Sequence, residues 1–489
     1  MKKIFKYLMT AALAFGFVSC DSDDLEQLPP GSAIYEFYFQ SPEEFESAIR
    51  GAYMSFFSSG FYTAEGGIVK IGDVLADNLV FNPGGRGTSF IGHNWLYDSG
   101  SGAPTGIYSG AFQMITRVNA ILANIDNLED ADFPNKAQIK AEALALRGIA
   151  HFEVARHYVK IPTQGADANS YVGIPYVTEF DPYQEPARLA TVADVYTKIF
   201  ADLEAALPDI PASSENVFRL NQNSYKGILS RIYLYAGNYD KVIEYATPVV
   251  AAVAPAPSSS LKNLWRSNDQ SGVLFSTLVD LSDPVIGINY SQGTGPTMVV
   301  EYAVDKAFYD LFNPSTEKDR MDATIGKNNS LNMYFVNKYM QSIIGFGSHY
   351  GRYMRVEEVI LNLAEAQYLK HQEGAALTTL NKLRDARYSS YSGGESGDAL
   401  FDAIQLERRK ELAFETGDRW FTLKRLQGVP GIPAVYHQGV QRSGNGEHAD
   451  GSGTPPVNLN LAPDAREWQF PITQSHMIRN PNMTQTPGY

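Results

Sequence analysis

The feature that most constrains the fold is a helical hairpin in residues 225–250, YKGILSRIYLYAGNYDKVIEYATPVV. Apolar residues recur at helical spacing on both sides of an Ala236-Gly237-Asn238 turn, a pattern typical of tetratricopeptide repeats. A second hairpin of this kind is predicted over residues 356–387. The two hairpins lie much further apart than one repeat of about 34 residues. The sequence therefore predicts helical repeats that are interrupted by other segments.

Further helices are predicted around these hairpins from caps and apolar spacing. Ser41 with Glu44 forms a capping box, and Thr191 caps another helix. The predicted helices cover residues 41–57, 107–127, 135–159, 191–207 and 400–425, the last with a break at Thr416-Gly417.

Two long segments, residues 60–105 and 252–350, lack a sustained helical period and are rich in Gly, Asn, Ser and aromatic residues. Long irregular segments within a compact domain usually carry function. We expect them to be loop-rich insertions with a few short strands, such as Gly272 to Asp280. The organisation predicted for residues 41–489 is one intertwined, mainly α domain.

The N-terminus resembles a bacterial lipoprotein signal. Three lysines precede an apolar run from Tyr7 to Val18, and the only cysteine of the 489 residues follows at Cys20. We expect a signal peptide over residues 1–19, lipid on Cys20, and a flexible tether over residues 20–40. The alternatives are a plain signal peptide or a transmembrane helix, although about a dozen apolar residues fall short of the ~20 that span a bilayer.

The composition and motifs exclude several classes of function. A net charge of −14 opposes binding to nucleic acid. The sequence contains no H-E-x-x-H, G-x-S-x-G or P-loop motif, and Cys20 is assigned to lipid, so we expect no catalytic residue, metal site or cofactor. A pair of carboxylates for glycoside hydrolysis stays open, because such pairs are spatial and not sequential.

Three carboxylates, Glu407, Glu411 and Glu415, recur at four-residue spacing and need compensating cations. Our interpretation is an ion-paired helix face, for which Arg408, Arg409, Lys410 and Arg419 are nearby in the sequence. The alternatives are a catalytic cluster or a face that docks a partner.

Five segments, taken in order, resemble the SusD/RagB family of Bacteroidetes outer-membrane nutrient-binding lipoproteins. They are FESAIRGAY (45–53), YSGAFQMITRVNAIL (108–122), EALALRGIAHF (142–152), ERRKELAFE (407–415) and the C-terminal FPI…NPNMTQTPGY (470–489). The sequence departs from the family pattern at Thr473, where Pro is usual, and at Thr486, where Asn is usual. Together the motifs extend over essentially the whole mature chain.

The resemblance implies about four tetratricopeptide-like helix pairs packed against a loop-rich ligand-binding half, and no catalysis. It implies a lipoprotein on the cell surface that binds an oligosaccharide or, in second place, an oligopeptide. The protein would act as the lid of a SusC-like TonB-dependent outer-membrane transporter. The acidic run 21–24 resembles the family's surface-export signal. The remaining alternatives are a structural or adhesive surface protein and, last, a surface glycoside hydrolase.

The resemblance also suggests ligand-binding residues. Trp95 stands where the starch-binding member of the family has a tryptophan in an arc of aromatic residues; its alternative role is a hydrophobic plug beneath a long loop. Tyr290 lies in the second insertion and is a further candidate. Polar side chains near Trp95 can bond ligand hydroxyl groups. These polar candidates are Asp77, Asn78, Asn82, Arg86 and Asn94.

Overall fold

The computed structural model describes residues 38–489 except 57–59, 63–66, 102–104, 182, 268, 278–285, 341, 343–344 and 346. The predicted signal peptide, Cys20 and residues 20–37 of the predicted tether lie outside the described residues. In the described part the chain forms sixteen α-helices and ten short strands.

Ten of these helices begin and end close to the predicted positions, while the other six are short and were not predicted, five of them in the segments 60–105 and 252–350 that were predicted to be irregular. In chain order they are α1 Pro42–Tyr53, α2 Ile68–Leu75, α3 Phe90–His93, α4 Gly106–Asn124, α5 Lys136–Tyr158, α6 Val192–Ala206, α7 Gln222–Tyr235, α8 Tyr239–Ala252, α9 Leu261–Leu264, α10 Lys306–Tyr309, α11 Lys318–Thr324, α12 Val356–Leu369, α13 Glu373–Asp385, α14 Gly397–Glu411, α15 Asp418–Leu426 and α16 Gln474–Arg479. Both predicted capping boxes are present, Ser41 with Glu44 and Thr191 with Asp194. Helix α1 ends four residues earlier than predicted, because a 3-10 turn, Met54–Phe56, follows it.

The strands form five separate two-stranded antiparallel sheets within the described residues. The strands are β1 Leu79–Phe81, β2 Val273–Thr277, β3 Ser291–Gln292, β4 Val299–Val300, β5 Tyr302–Val304, β6 Ile325–Asn328, β7 Met333–Val336, β8 Gly351–Arg355, β9 Val440–Gln441 and β10 Asn460–Leu461. Strand β1 pairs with β5, Leu79 opposite Val304 and Phe81 opposite Tyr302. This pairing joins the two segments that were predicted as separate insertions.

The helices pack as pairs: α4 with α5, α7 with α8, and α12 with α13, with α12 also against α7 and α8. Their apolar faces belong to one continuous cluster that extends from Phe39 to Met483. A small second cluster lies around Met298 and Met333 in the β-rich segment. The prediction of tetratricopeptide-like helix pairs against a loop-rich half with a few short strands is confirmed.

Helix α14 carries a buried ion network. Glu407 accepts from Arg320 at 2.7 Å, and Glu411 accepts from Arg387 at 2.7 and 2.8 Å. Glu415, in the turn after α14, accepts from Lys338 at 2.6 Å and from Arg355 at 2.7 and 2.9 Å. All of these side chains are almost completely buried. The predicted ion-paired face is therefore confirmed, but most partners of the carboxylates come from distant segments and not from Arg408, Arg409, Lys410 and Arg419.

Glu407 and Glu411 are held in their charged forms by their partners, which lower the pKa of each carboxyl group. Burial alone would raise the pKa of Glu411, but the guanidinium groups of Arg387 and Arg355 lower it well below its usual range. Arg387 and Arg355 also contact Glu357, so the charges form one connected group. Pairing of this kind is needed because an uncompensated charge in a protein interior is very costly.

We predict that Glu411→Gln strongly destabilises the protein. The change keeps the size of the side chain but leaves two buried guanidinium groups short of a charge, which costs about 3–5 kcal/mol of unfolding free energy. Urea unfolding followed by circular dichroism measures the loss. The matched control is Glu244→Gln, whose carboxylate pairs with Lys241 on the surface, and we expect it to change stability by less than about 1 kcal/mol. Equal losses in the two variants would contradict the prediction.

Candidate functional site

The candidate site lies on the loop-rich half, in residues 82–96, which we call the 82–96 loop. The loop follows strand β1 and contains the short helix α3. Two of its non-glycine residues, Ser89 and Trp95, have positive φ angles of 56° and 53°. Such left-handed conformations persist only where surrounding contacts impose them, and they are often found at ligand sites.

Glu301 fixes the first half of the loop. Its carboxylate accepts from the backbone N–H of Arg86 at 2.7 Å and of Thr88 at 2.6 Å, and from the Thr88 hydroxyl at 2.5 Å. Burial would raise the pKa of Glu301, but these hydrogen bonds and the charge of Arg86 lower it. Asn82 adds a bond from its amide nitrogen to the Val300 carbonyl at 2.6 Å. Glu301 was not identified from the sequence, because its acceptor role depends on a β1–β5 pairing that no local pattern reveals.

Arg442 fixes the second half of the loop. Its guanidinium lies 3.9 Å from the centroid of the Trp95 ring and donates to the His93 carbonyl at 2.7 Å. The Trp95 indole N–H donates to the Leu75 carbonyl at 3.0 Å. Trp95 is only 6% exposed, so its ring serves as a plug beneath the loop in this structure. These contacts match the alternative role considered for Trp95, a hydrophobic plug beneath the loop.

Asp77 and Asn78 attach the base of the site to the helical half. The Asp77 carboxylate accepts from Arg419 at 2.7 and 2.8 Å, and Arg409 lies 3.3 Å from it. Burial opposes ionisation, but the two guanidinium groups hold the pKa of Asp77 below its ordinary value. Asn78 accepts from the Arg409 Nε at 2.8 Å.

Helix α2, which precedes Asp77 in the chain, makes a very close contact with the turn between α14 and α15. A Cβ atom on Gly72 would lie 2.5 Å from the Cα atom of Gly417, so only glycine fits there. The Asp73 carboxylate accepts from the Phe414 N–H at 3.1 Å, and burial raises the pKa of Asp73 to about 8. Helix α2 is thus packed directly on the turn between α14 and α15.

The structure places the seven predicted ligand residues in one region but covers most of them. Tyr290 is fully buried, and its hydroxyl donates to the Val69 carbonyl at 2.9 Å. Asn94 is buried and donates to the Phe90 carbonyl at 3.0 Å. Arg86 is exposed, and it reaches the Ile288 carbonyl at 3.1 Å. A ligand role for the buried members stays a prediction, while Arg86 faces solvent.

The exposed groups around the loop form a mixed apolar and polar surface. We call Arg86, Phe90, Leu96, Gln292 and Leu459 the loop surface. Phe90 is 36% exposed with its ring 4.9 Å from Phe81, and Leu96 is 54% exposed. When its amide oxygen faces Arg86, Gln292 accepts from that guanidinium at 2.9 Å. A hydrogen bond from Asn458 to the Asn94 carbonyl, 2.7 Å, brings Leu459 beside the loop.

This surface can stack an aromatic face against a ligand and donate hydrogen bonds beside it. The described residues contain no cluster of metal-ligating side chains. Among the same residues, no helix is both long and apolar enough to cross a membrane. Phe90, Leu96 and Leu459 were missed in the sequence, because an exposed apolar residue in a loop has no pattern that distinguishes it from a buried one.

The structure thus combines a helical-repeat scaffold with a candidate binding surface on its loop-rich half. Residues 299–489 match the family model described as "SusD family", and residues 86–234 match the model described as "Starch-binding associating with outer membrane". Over these two segments the chain is similar to the SusD family.

Several known proteins are similar to the chain. "SusD-like protein P2" of Formosa agariphila is 24% identical over 99% of this chain and 100% of its own length. A SusD superfamily protein from Bacteroides thetaiotaomicron has the same fold, with a TM-score of 0.75, 21% identity, and coverage of 91% of this chain and 100% of that one. A surface glycan-binding protein A from Bacteroides uniformis has a TM-score of 0.71 at 16% identity and covers 91% and 99% of the two chains.

We predict that Trp95 stabilises the fold much more than its exposed neighbour Phe90. Trp95→Ala removes a buried ring and an N–H to carbonyl bond, which costs about 3–5 kcal/mol. Phe90→Ala removes a partly exposed ring and should cost about 1 kcal/mol. Chemical unfolding of both variants measures the difference, and a loss for Trp95→Ala no larger than that for Phe90→Ala would refute the plug role.

Proposed function

We propose that this protein is a cell-surface lipoprotein that binds a nutrient oligosaccharide and delivers it to a SusC-like TonB-dependent outer-membrane transporter as its lid. The observation that carries the proposal is the loop surface, an exposed aromatic ring beside guanidinium and amide groups on a SusD family scaffold. An oligopeptide is the less favoured ligand.

The chemistry of the loop surface favours a hydroxyl-rich ligand. Phe90 offers an apolar ring face that is 36% exposed, and Arg86 of the same loop supplies a guanidinium group together with the amide of Gln292. The scaffold below holds these groups in place, so a ligand need not order the loop when it binds.

The names of similar proteins support a saccharide as the ligand. One matching family model is described as starch-binding, and a structural neighbour is a surface glycan-binding protein. A catalytic role for Glu407, Glu411 and Glu415 is not part of the proposal, since all three are buried and ion-paired. The protein would therefore bind the oligosaccharide without cleaving it.

The anchoring belongs to the proposal as well. Cleavage after residue 19 would leave Cys20 as the first residue, and lipid on its thiol would hold the protein at the outer membrane. Residues 20–40 would act as a tether, and residues 41–489 as a single domain. The continuous apolar cluster from Phe39 to Met483 supports the single domain. The matching family model described as associating with the outer membrane supports the location.

We predict that Phe90→Ala and Arg86→Ala each weaken oligosaccharide binding. Loss of the aromatic face should lower the affinity about fivefold, equivalent to about 1 kcal/mol. Isothermal titration with neutral oligosaccharides of several linkage types measures the effect. The matched control is Tyr183→Ala, an aromatic residue that is 90% exposed outside the loop surface. If the control lowers the affinity as much as Phe90→Ala does, the loop surface is not the site.

We predict that Cys20→Ala releases the protein from the membrane. The lipid acceptor would be lost, while the ligand affinity of the folded body would stay the same. Membrane fractionation, incorporation of labelled palmitate and uptake of the oligosaccharide measure the outcome, with Ser22→Ala as the control in the same segment. Retention of Cys20→Ala in the membrane with its label would contradict the proposed anchor.

A further inference from the structure

A cleft lies on the helical half, apart from the loop surface. It is formed between the end of α1 and residues 211–220, which lead into α7. Its volume is 530 Å³, within the ~300–1,000 Å³ typical of small-molecule sites. Tyr53, Met54 and Gln138 line one side and Phe218 lies on the other. The lining of this cleft shares no residue with the loop surface.

The apolar part of the cleft is formed by rings whose positions are already fixed. The Phe218 ring packs on Tyr350, with centroids 5.0 Å apart and planes at 57°. The Tyr53 hydroxyl accepts from the Leu220 N–H at 3.3 Å. Phe218 and Tyr53 are both half-buried, so each shows part of its ring to the cleft. Fixed aromatic surfaces can stack against a flat ring at a low cost in conformational entropy.

Most of the charges along the cleft are paired with one another. Arg219 donates to Glu142 at 2.9 Å through Nε and to Glu46 at 2.7 and 3.0 Å through its two Nη atoms. Arg50 adds a bond to Glu46 at 2.8 Å. Two guanidinium groups thus balance two carboxylates, and Glu215 adds one exposed carboxylate to the lining. The wall therefore disfavours a phosphate or a carboxylate ligand, while a carboxylate oxygen can accept a hydrogen bond from a sugar hydroxyl group.

The rim of the cleft offers neutral hydrogen-bonding groups. Asn216 accepts from the Phe218 N–H at 3.0 Å through Oδ1, and the Ser214 hydroxyl donates to the Asn216 carbonyl at 2.7 Å. These bonds hold the segment in place and leave the Asn216 Nδ2 pointing to no partner within the described residues. Ser213 is exposed beside it. Hydroxyl and amide groups next to an aromatic face suit a sugar ring.

We propose that this cleft is a second saccharide-binding site that takes one or two rings of an uncharged oligosaccharide. The inference rests on the proposed function for its class of ligand. It goes beyond that function, because it assigns binding to the helical half as well as to the loop surface.

The test uses the full-length protein and three neutral probes, maltohexaose, cellohexaose and laminarihexaose, in isothermal titration. Four variants are compared with the wild type: Phe90→Ala, Phe218→Ala, and the two double variants that combine Phe90→Ala with Phe218→Ala or with Asn216→Ala. Tyr183→Ala is the control for loss of an exposed ring. Thermal unfolding checks each fold, and Asn216→Ala keeps the test valid if Phe218→Ala is unstable, since Asn216 is exposed.

We expect at least one probe to bind Phe90→Ala, with an affinity that falls about tenfold in the double variant and about threefold when Asn216→Ala is added to Phe90→Ala. Equal affinities for Phe90→Ala and the double variant would overturn the second site while leaving the loop surface as a site. An effect of Phe218→Ala with none of Phe90→Ala would support this cleft and remove the loop surface from the proposed function. If no probe binds the wild type, both proposals assign the wrong class of ligand.

Discussion

The buried ion network on α14 is the interaction on which the rest of the structure depends. Glu407, Glu411 and Glu415 contact cations from α11, from β8, from the residues just after α13 and from the segment after β7. Each of these pairs would be unfavourable alone, because burying a charge costs more than most single contacts return. As a connected group they fix four segments, distant in sequence, against one helix. The network thereby determines how the helical half meets the loop-rich half.

Residues of α14 and α15 also hold the base of the candidate site in place. Arg409 on α14 and Arg419 on α15 hold Asp77 and Asn78, which lie directly before strand β1. The Gly72–Gly417 contact brings α2 against the turn between α14 and α15 with no room for a side chain. The base of the 82–96 loop is therefore part of the scaffold, and its buried polar residues are better explained by attachment than by ligand contact.

The sequence predicts features that depend on local patterns, but it does not predict contacts between residues that are far apart in the chain. Capping boxes such as Ser41 with Glu44 and the apolar spacing of residues 225–250 are local, and the helices they predicted are present. The compensation of Glu411 was expected from physical reasoning, but Arg387 and Arg355 could not be named because only the folded chain brings them there. The ring of Trp95 is covered by Arg442, a residue far along the chain that no local pattern connects with it.

The positive φ angles of Ser89 and Trp95 bear on how the loop surface would bind. Each left-handed residue costs on the order of 1–3 kcal/mol, and such a conformation persists only if other contacts outweigh it. Here Glu301 holds the backbone before Ser89, and Arg442 covers the ring of Trp95. Since these contacts are made by residues of the chain itself, the cost of shaping the loop is met during folding. Exposed groups such as Phe90 can then contact a ligand without first being ordered, which raises affinity for a given contact area.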